Sequence, residues 1–123
     1  MKSLLLIAHG SRRAESNSEI IALTEKLRAM AGDEYANVEC AFLELAEPSI
    51  EASIDSLVDA GETEILCLPY FLAKGAHVAS DIPEAMEAAR AKHPNVSISV
   101  SEYLGASDEV PRILMHLALQ AAD

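Results

Sequence analysis

Three residues that can bind a divalent metal follow apolar segments of the sequence. His9, Glu44 and His77 each stand at or shortly after the end of such a segment. Two imidazoles and a carboxylate form an ordinary ligand set for a divalent transition metal. Three protein ligands leave one coordination position open, as metal transfer or metal-assisted catalysis requires, whereas a fourth protein ligand closes a structural site. We therefore predict an open metal site formed by these three residues.

Basic residues accompany the predicted ligands in the same segments. Arg12 and Arg13 follow His9, and Lys74 precedes His77. Guanidinium and ammonium groups attract carboxylates or phosphates, and a Gly-Ser loop before a helix adds hydroxyl and backbone donors. We predict that Ser11, Arg12 and Lys74 bind anionic groups of a substrate, with solvated loop charge as the alternative. The role of Arg13 stays open.

Short apolar segments alternate with helical patterns along the chain. The first three segments are apolar runs, and the last alternates apolar residues with serine. Polar or proline residues that favour helix starts follow each segment. The predicted strands are 2–8, 37–43, 63–71 and 96–100, and the predicted helix starts are Ser16 or Asn17, Pro48, Ser80 or Asp81, and Ser107 or Asp108. Val110, Ile113, Leu114 and Leu117 are expected to face inward from the last helix.

This βαβαβαβα order predicts an α/β fold with an open parallel four-stranded sheet and helices on both faces. We expect one domain over residues 1–123. Ligands of such sheets bind beyond the carboxyl ends of the strands, where the predicted metal ligands stand. A shared rim favours metal binding over the local alternatives, in which His9 caps a helix and Glu44 complements a positive helix end. Glu102 and Tyr103 reach the same rim without an assigned role.

The remaining histidines are expected to lie outside the site. His93 belongs to a Lys-His-Pro sequence at a predicted helix end, which favours a solvent-facing cap. His116 flanks the apolar face of the last helix. Cys40 and Cys67 stand inside apolar segments and are predicted to be buried free thiols without a metal or redox role.

Composition excludes several classes of partner. The net charge of −11 argues against nucleic acid, because no basic stripe exists to displace phosphate counterions. The same charge means that an anionic substrate needs local basic residues. No segment approaches the roughly 20 apolar residues that span a bilayer, and the run 4–8 is shorter than a signal-peptide core. We expect a cytoplasmic protein that binds neither nucleic acid nor membranes.

Three motifs resemble those of the class II chelatases, in particular the short single-domain sirohydrochlorin chelatases of the cobalamin and sirohaem pathways. The motifs are LLLIAHGSR at 4–12, FLELAEPSI at 42–50, and LPYFLAKGAH at 68–77, running on to DIP at 81–83. The resemblance implies a chelatase-like variant of the flavodoxin-type fold. It also implies a cobaltochelatase or ferrochelatase, a lyase, that inserts a divalent metal into sirohydrochlorin.

The resemblance further implies that His9, Glu44 and His77 hold the metal. Co²⁺ is the expected metal, with Fe²⁺ or Ni²⁺ as alternatives, and it is a substrate rather than a tightly bound cofactor. Since the short members resemble half of a two-lobed chelatase, a homodimer that encloses the tetrapyrrole is expected. On this hypothesis the two histidines and Glu44 also take up the pyrrole protons, while Arg12, Lys74 and Ser11 steer the carboxylates of the substrate.

Two other functions fit parts of the sequence. A metal carrier or tetrapyrrole-binding protein would use the same ligands without turnover. A phosphoryl-transfer enzyme would use His9 as its nucleophile, although Ala8 stands where a histidine phosphatase would carry arginine. A phosphorelay receiver domain has similar length, but it needs acidic residues where His9 and the 74–77 segment stand.

Overall fold

The computed structural model describes residues 2–122 and has four parallel strands in one open sheet, in the order β2-β1-β3-β4. The strands are β1 (Lys2–Ala8), β2 (Asn37–Phe42), β3 (Glu64–Pro69) and β4 (Ser97–Val100). The helices are α1 (Ala14–Ala31), α2 (Ile50–Asp59), α3 (Ile82–Lys92) and α4 (Glu109–Ala121). The predicted α/β fold and its element order are confirmed. The second and third strands end earlier than predicted, which leaves Leu43 and Phe71 in the loops that follow them.

The main core lies between the sheet and helices α2 and α3. Leu5 and Ile7 of the central strand β1 are fully buried, and they pack in one cluster with Ile54 of α2 and Met86 of α3. Alternate residues of β1, such as Leu4 and Leu6, are also buried, so both faces of this strand are covered. This explains the continuous apolar run of β1, because a central parallel strand has no solvent-facing side.

The other face of the sheet is covered by α1, and α4 does not join it. The prediction that Val110, Ile113, Leu114 and Leu117 of α4 face inward is wrong, since no residue of α4 is buried. Ile113, Leu114 and Leu117 are 52 to 60% exposed. Amphipathicity indicates that a helix face has a partner surface, but it does not say on which chain that surface lies.

Two predicted helix starts are wrong because a different residue occupies the cap position of each helix. Helix α1 begins at Ala14, before Ser16 and Asn17, because Arg13 already has the extended backbone of a cap position. Pro48 stands outside α2, whose cap is Ser49, and the Ser49 hydroxyl accepts a hydrogen bond from the Ala52 amide at 3.1 Å.

The third predicted start is confirmed in position, since Asp81 is the cap residue of α3 and Pro83 lies in the first turn. A π-helical turn, His77–Asp81, runs directly into α3, so neither Ser80 nor Asp81 makes a capping bond there. The fourth start is confirmed: Asp108 is the cap position of α4, and the Ser107 hydroxyl accepts from the Glu109 amide.

Two further predictions concern His93 and the cysteines. His93 ends α3 but does not face solvent: its side chain is largely covered, and its Nε2 lies 2.7 Å from the Asp55 carboxylate on α2. Cys67 is a buried free thiol as predicted, and burial raises its pKa to about 12. Cys40 is also free but only half-buried. Within residues 2–122, no helix is long and apolar enough to cross a membrane.

Candidate functional site

The three predicted metal ligands converge at the carboxyl edge of the sheet. Because β1 lies between β2 and β3, the loops that carry His9, Glu44 and His77 are neighbours. One ligand atom of each residue lies within 4.8 Å of the others, and the two imidazole ring centres are 4.6 Å apart. The side chains are 40, 51 and 38% exposed, respectively, so the cluster opens to solvent on one side. This arrangement can hold one divalent ion and present it to a further ligand.

Backbone contacts join the loops of His9 and Glu44. The Glu44 amide donates to the His9 carbonyl at 3.0 Å, which extends the pairing of β1 and β2 beyond the strands. Gly10 follows with φ of +96°, and a Cβ atom there would lie 1.8 Å from the Glu44 carbonyl oxygen. Only glycine permits both this backbone conformation and this approach. Gly10 therefore determines the distance between the first two ligands.

His9 is held at both ring nitrogens. Its Nε2 lies 2.9 Å from a carboxylate oxygen of Glu44, and its Nδ1 lies 2.9 Å from the Gly10 carbonyl oxygen. Both neighbours are acceptors, and a neutral imidazole carries only one N–H. With that proton on Nδ1 and donated to the Gly10 carbonyl, the ring is held in orientation and the Nε2 lone pair would be free for a metal.

His77 is oriented by a carboxylate that the sequence prediction assigned only to a helix cap. The Asp81 carboxylate lies 2.7 Å from His77 Nδ1, four residues further along the π-helical turn. A proton on Nδ1 donated to Asp81 leaves the Nε2 lone pair free for a metal. The spacing of four residues was visible in the sequence, since such residues share a helix face. The turn that places them before α3 was not.

A side-chain clamp holds the loop behind His9. The Ser11 amide donates to the Asn17 side-chain oxygen at 3.0 Å, and the Asn17 amide group donates to the Ser11 carbonyl at 2.8 Å. The Ser11 hydroxyl accepts from the Arg13 amide at 3.0 Å. Asn17, predicted as a helix cap, thus braces the loop from within α1.

The basic residues lie in the expected loops and are exposed. Arg13 faces Glu15 at 3.5 Å and is mostly in solvent. Within residues 2–122, Arg12 and Lys74 form no hydrogen bond or ion pair with another side chain. Their cationic groups are therefore available to an anionic ligand.

Exposed apolar side chains in the loops that follow β2 and β3 were missed by the sequence prediction. Leu45 follows Glu44, and Tyr70 and Leu72 follow β3; all three are large apolar or aromatic residues in contact with solvent. Leu45 has a φ of +66°, which is strained for a residue with a branched side chain. In the sequence each of them is an apolar or aromatic residue within a predicted loop or strand end, and such a residue alone does not indicate whether its side chain is exposed.

The residues 3–121 match the family model of CbiX. The chain belongs to the CbiX family. The sirohydrochlorin ferrochelatase of Bacillus subtilis is 33% identical over 115 residues, which cover 94% of this chain and 43% of that protein. The sirohydrochlorin cobaltochelatase of Methanococcus maripaludis is 36% identical over 86 residues, which cover 70% of this chain and 58% of that one.

A solved chelatase structure has the same fold. The sirohydrochlorin chelatase SirB from Bacillus subtilis subspecies spizizenii, crystallised in complex with cobalt, gives a TM-score of 0.85 at 32% identity. The match covers 98% of this chain and 51% of that one. This chain therefore spans about half the length of the curated relatives it matches. The resemblance to short sirohydrochlorin chelatases predicted from the sequence is confirmed at the level of the family.

Proposed function

We propose that this chain is a sirohydrochlorin chelatase, a lyase that inserts Co²⁺ or Fe²⁺ into the tetrapyrrole during cobalamin or sirohaem synthesis. The observation that carries the proposal is the open cluster of two imidazoles and one carboxylate within 4.8 Å, on a CbiX domain. A metal held by these three ligands keeps a coordination position for the incoming macrocycle. The metal is a substrate here, and the proposal includes no tightly bound cofactor.

The ligands are suited to releasing the metal as well as binding it. All three are partly exposed: His9 and Glu44 belong to loops, and His77 begins the π-helical turn. Cobalt and iron accept imidazole and carboxylate ligands that exchange. Asp81 presents the His77 Nε2 lone pair, and Gly10 sets the distance from His9 to Glu44. The metal passes to the pyrrole nitrogens as these protein ligands dissociate one after another.

Insertion also requires two protons to leave the substrate. The neutral macrocycle core carries two pyrrole N–H groups, and the metallated product carries none, so two protons are released for each divalent ion bound. A neutral imidazole has an unperturbed pKa of about 6.5 and accepts such a proton near neutral pH. Nε2 of His9 and of His77, once freed from the metal, are the proposed acceptors, with Glu44 as the group that passes protons to solvent.

The rim of the site fits a flat, carboxylate-rich molecule. Tyr70, Leu72 and Leu45 offer apolar surface to the macrocycle face. Arg12 and Lys74 are free to pair with peripheral carboxylates, and Ser11 with its neighbouring backbone amides adds weaker donors. The local cations offset a chain whose net charge of −11 would otherwise repel such a substrate.

The proposed working unit is a homodimer of a single domain. In this proposal a second copy takes the place of the other half of relatives such as the Bacillus subtilis ferrochelatase, of which this chain covers 43%. It faces the open side of the metal cluster and encloses the macrocycle. A cytoplasmic location is proposed because both cysteines are free thiols, which persist in a reducing compartment.

An anaerobic absorbance assay tests the function. Purified protein is mixed with sirohydrochlorin and Co²⁺, Fe²⁺ or Ni²⁺, and the spectral change of metal insertion is compared with a protein-free control. His9→Ala and His77→Ala should fold normally, as measured by circular dichroism, and lose insertion. His116→Ala removes an exposed histidine from α4 and serves as the matched control.

The outcomes separate the possible functions. Multiple-turnover acceleration that both site variants abolish supports the chelatase. Tetrapyrrole or metal binding without acceleration replaces it with a carrier. Full activity in both histidine variants, or no binding of either substrate, refutes the proposal.

A further inference from the structure

The peptide unit between Gly10 and Ser11 connects a side chain of α1 to the proposed metal ligand His9. Its carbonyl, that of Gly10, lies 2.9 Å from His9 Nδ1. Its N–H, that of Ser11, donates to Asn17 Oδ1 at 3.0 Å. The carbonyl and the N–H of a trans peptide point in opposite directions within one plane. A partner that fixes the N–H therefore also fixes the direction of the carbonyl.

The Asn17 side chain holds this peptide unit in one orientation with two hydrogen bonds. Its Oδ1 accepts from the Ser11 amide, and its Nδ2 donates to the Ser11 carbonyl at 2.8 Å. Since a backbone amide only donates and a backbone carbonyl only accepts, these partners also determine which end of the Asn17 carboxamide is oxygen. Asn17 is half-buried near the start of α1, so the helix fixes its own position.

The peptide unit has few other constraints. Within residues 2–122, the Ser11 amide and the Gly10 carbonyl have no hydrogen-bond partner besides Asn17 and His9. Gly10 has a φ of +96° and no Cβ, so the peptide that follows it rotates with little steric cost. The opposite orientation of this peptide is therefore accessible to a chain in which residue 17 does not hold it.

The two orientations of the peptide select different tautomers of the neutral His9 ring. With the Gly10 carbonyl towards the ring, Nδ1 carries the proton and donates it, and the Nε2 lone pair is free for a metal. With the peptide reversed, the Ser11 N–H would face Nδ1, which would then have to accept. The proton would lie on Nε2 and be donated to the Glu44 carboxylate, 2.9 Å away. In that form His9 and Glu44 bind each other instead of a metal.

The other histidine of the cluster is oriented without a peptide of this kind. His77 Nδ1 lies 2.7 Å from the Asp81 carboxylate, and both oxygens of an ionised carboxylate accept hydrogen bonds. Rotation of the Asp81 carboxylate therefore leaves an acceptor facing His77. Rotation of the Gly10–Ser11 peptide, in contrast, replaces an acceptor with a donor. Only the tautomer of His9 depends on a third residue that fixes its partner.

We propose that Asn17 is a positioning residue of the metal site: by fixing the Gly10–Ser11 peptide, it keeps His9 in the tautomer that binds a divalent metal at Nε2. Asn17 itself does not touch the metal, since its carboxamide is occupied by the Ser11 backbone. This role rests on the metal site of the proposed function and adds the group that keeps one of its ligands able to bind.

The first test observes the His9 ring in the metal-free protein without tetrapyrrole, so that its outcome is independent of chelatase activity. Heteronuclear NMR of the imidazole nitrogens, at a pH at which the ring is neutral, distinguishes Nδ1–H from Nε2–H. Wild type should show the Nδ1–H tautomer of His9, and Asn17→Ala should shift the ring towards Nε2–H. Thr24→Val, which removes another hydrogen bond from an α1 side chain to the backbone, is the matched control and should keep the wild-type tautomer. An unchanged tautomer in Asn17→Ala overturns the proposal.

The second test measures Co²⁺ affinity by titration. Asn17→Ala should bind Co²⁺ about 10- to 100-fold more weakly, as expected for the loss of a group that orients a metal-binding histidine. Asn17→Asp keeps an oxygen that accepts from the Ser11 amide, so it should retain the Nδ1–H tautomer and more of the affinity. Thr24→Val should bind Co²⁺ as tightly as wild type. Equal affinities of Asn17→Ala and wild type refute the role of Asn17.

A double variant separates positioning of His9 from a general effect on the loop. If Asn17 acts through His9, Asn17→Ala should cause no further loss of Co²⁺ affinity in a His9→Ala background. A further loss as large as in the wild-type background means that Asn17 acts elsewhere, and it overturns the proposal. A wild type that binds no Co²⁺ refutes the metal site of the proposed function, and the role of Asn17 with it.

Discussion

Gly10 has a positive φ and lies close to the Glu44 carbonyl, and the variant Gly10→Ala tests the importance of this close approach. In Gly10→Ala, the new Cβ would lie 1.8 Å from the Glu44 carbonyl oxygen and 3.3 Å from the Phe42 Cβ. Ordinary contacts between such atoms lie near 3.5 Å, so the Glu44 loop must retreat by about 1.7 Å. A retreat of this size breaks the 3.0 Å hydrogen bond from the Glu44 amide to the His9 carbonyl. His9 and Glu44, two of the three proposed metal ligands, then move apart.

The expected magnitudes follow from these displacements. A residue with a Cβ in the left-handed region costs about 1–2 kcal/mol, and forcing a loop outward adds about 1–3 kcal/mol. For a domain of this size, 1 kcal/mol lowers Tm by roughly 4 °C, so Gly10→Ala should melt about 8–20 °C below wild type. A misplacement of 1 Å costs about a hundredfold in rate, and kcat/KM for metal insertion should fall by at least that factor.

Gly61→Ala is the matched control for this variant. Gly61 has a similar φ of +94°, but a Cβ there meets no atom within 4 Å. The Gly61→Ala variant should lose only the stability that the backbone conformation costs a residue with a Cβ, about 1–2 kcal/mol. Its Co²⁺ affinity and insertion rate should stay unchanged. Differential scanning calorimetry, a Co²⁺ titration and the insertion assay make the comparison. If Gly10→Ala matches Gly61→Ala in Tm and keeps wild-type activity, the close approach does not position Glu44.

Three further predictions address other parts of the structure. Asp81→Ala should weaken Co²⁺ binding by about 10- to 100-fold, because His77 loses the carboxylate that orients it. Asp81→Asn keeps an acceptor and should lose less affinity. Equal Co²⁺ affinities of the variants and the wild type in a titration would contradict this. Iodoacetamide at pH 8 should label Cys40 and leave Cys67 unmodified in native protein, because burial raises the pKa of Cys67 to about 12; mass spectrometry showing equal labelling would exclude a buried thiol. The hydrogen bond from Lys92 lowers the pKa of Asp55. The ion pair therefore contributes to stability at neutral pH, and this contribution is lost as the pH falls below about 3.9. The difference in Tm between wild type and Asp55→Asn should close at that pH, and a difference independent of pH would argue against the ion pair.

The sequence by itself predicted the fold and the three residues that meet at the carboxyl edge of the sheet. Continuous apolar runs mark strands buried on both faces, and their alternation with helices leaves a parallel sheet as the architecture. Since ligands of such sheets bind at the carboxyl ends of strands, His9, Glu44 and His77 could be chosen without coordinates. The spacing of these three residues along the chain is long, but the topology alone brings their loops together.

The tertiary structure decided how those ligands are held and what remains uncovered. The approach of Gly10 to the Glu44 carbonyl and the π-helical turn that joins His77 to Asp81 depend on backbone geometry between distant or irregular segments, and local propensity does not encode it. Helix α4 shows the same limit, because its pattern states that an apolar face needs a partner surface and leaves open which chain supplies it. The periodicity of a sequence indicates which side chains avoid water, whereas the distances between side chains and the identity of their contact partners follow only from the tertiary structure.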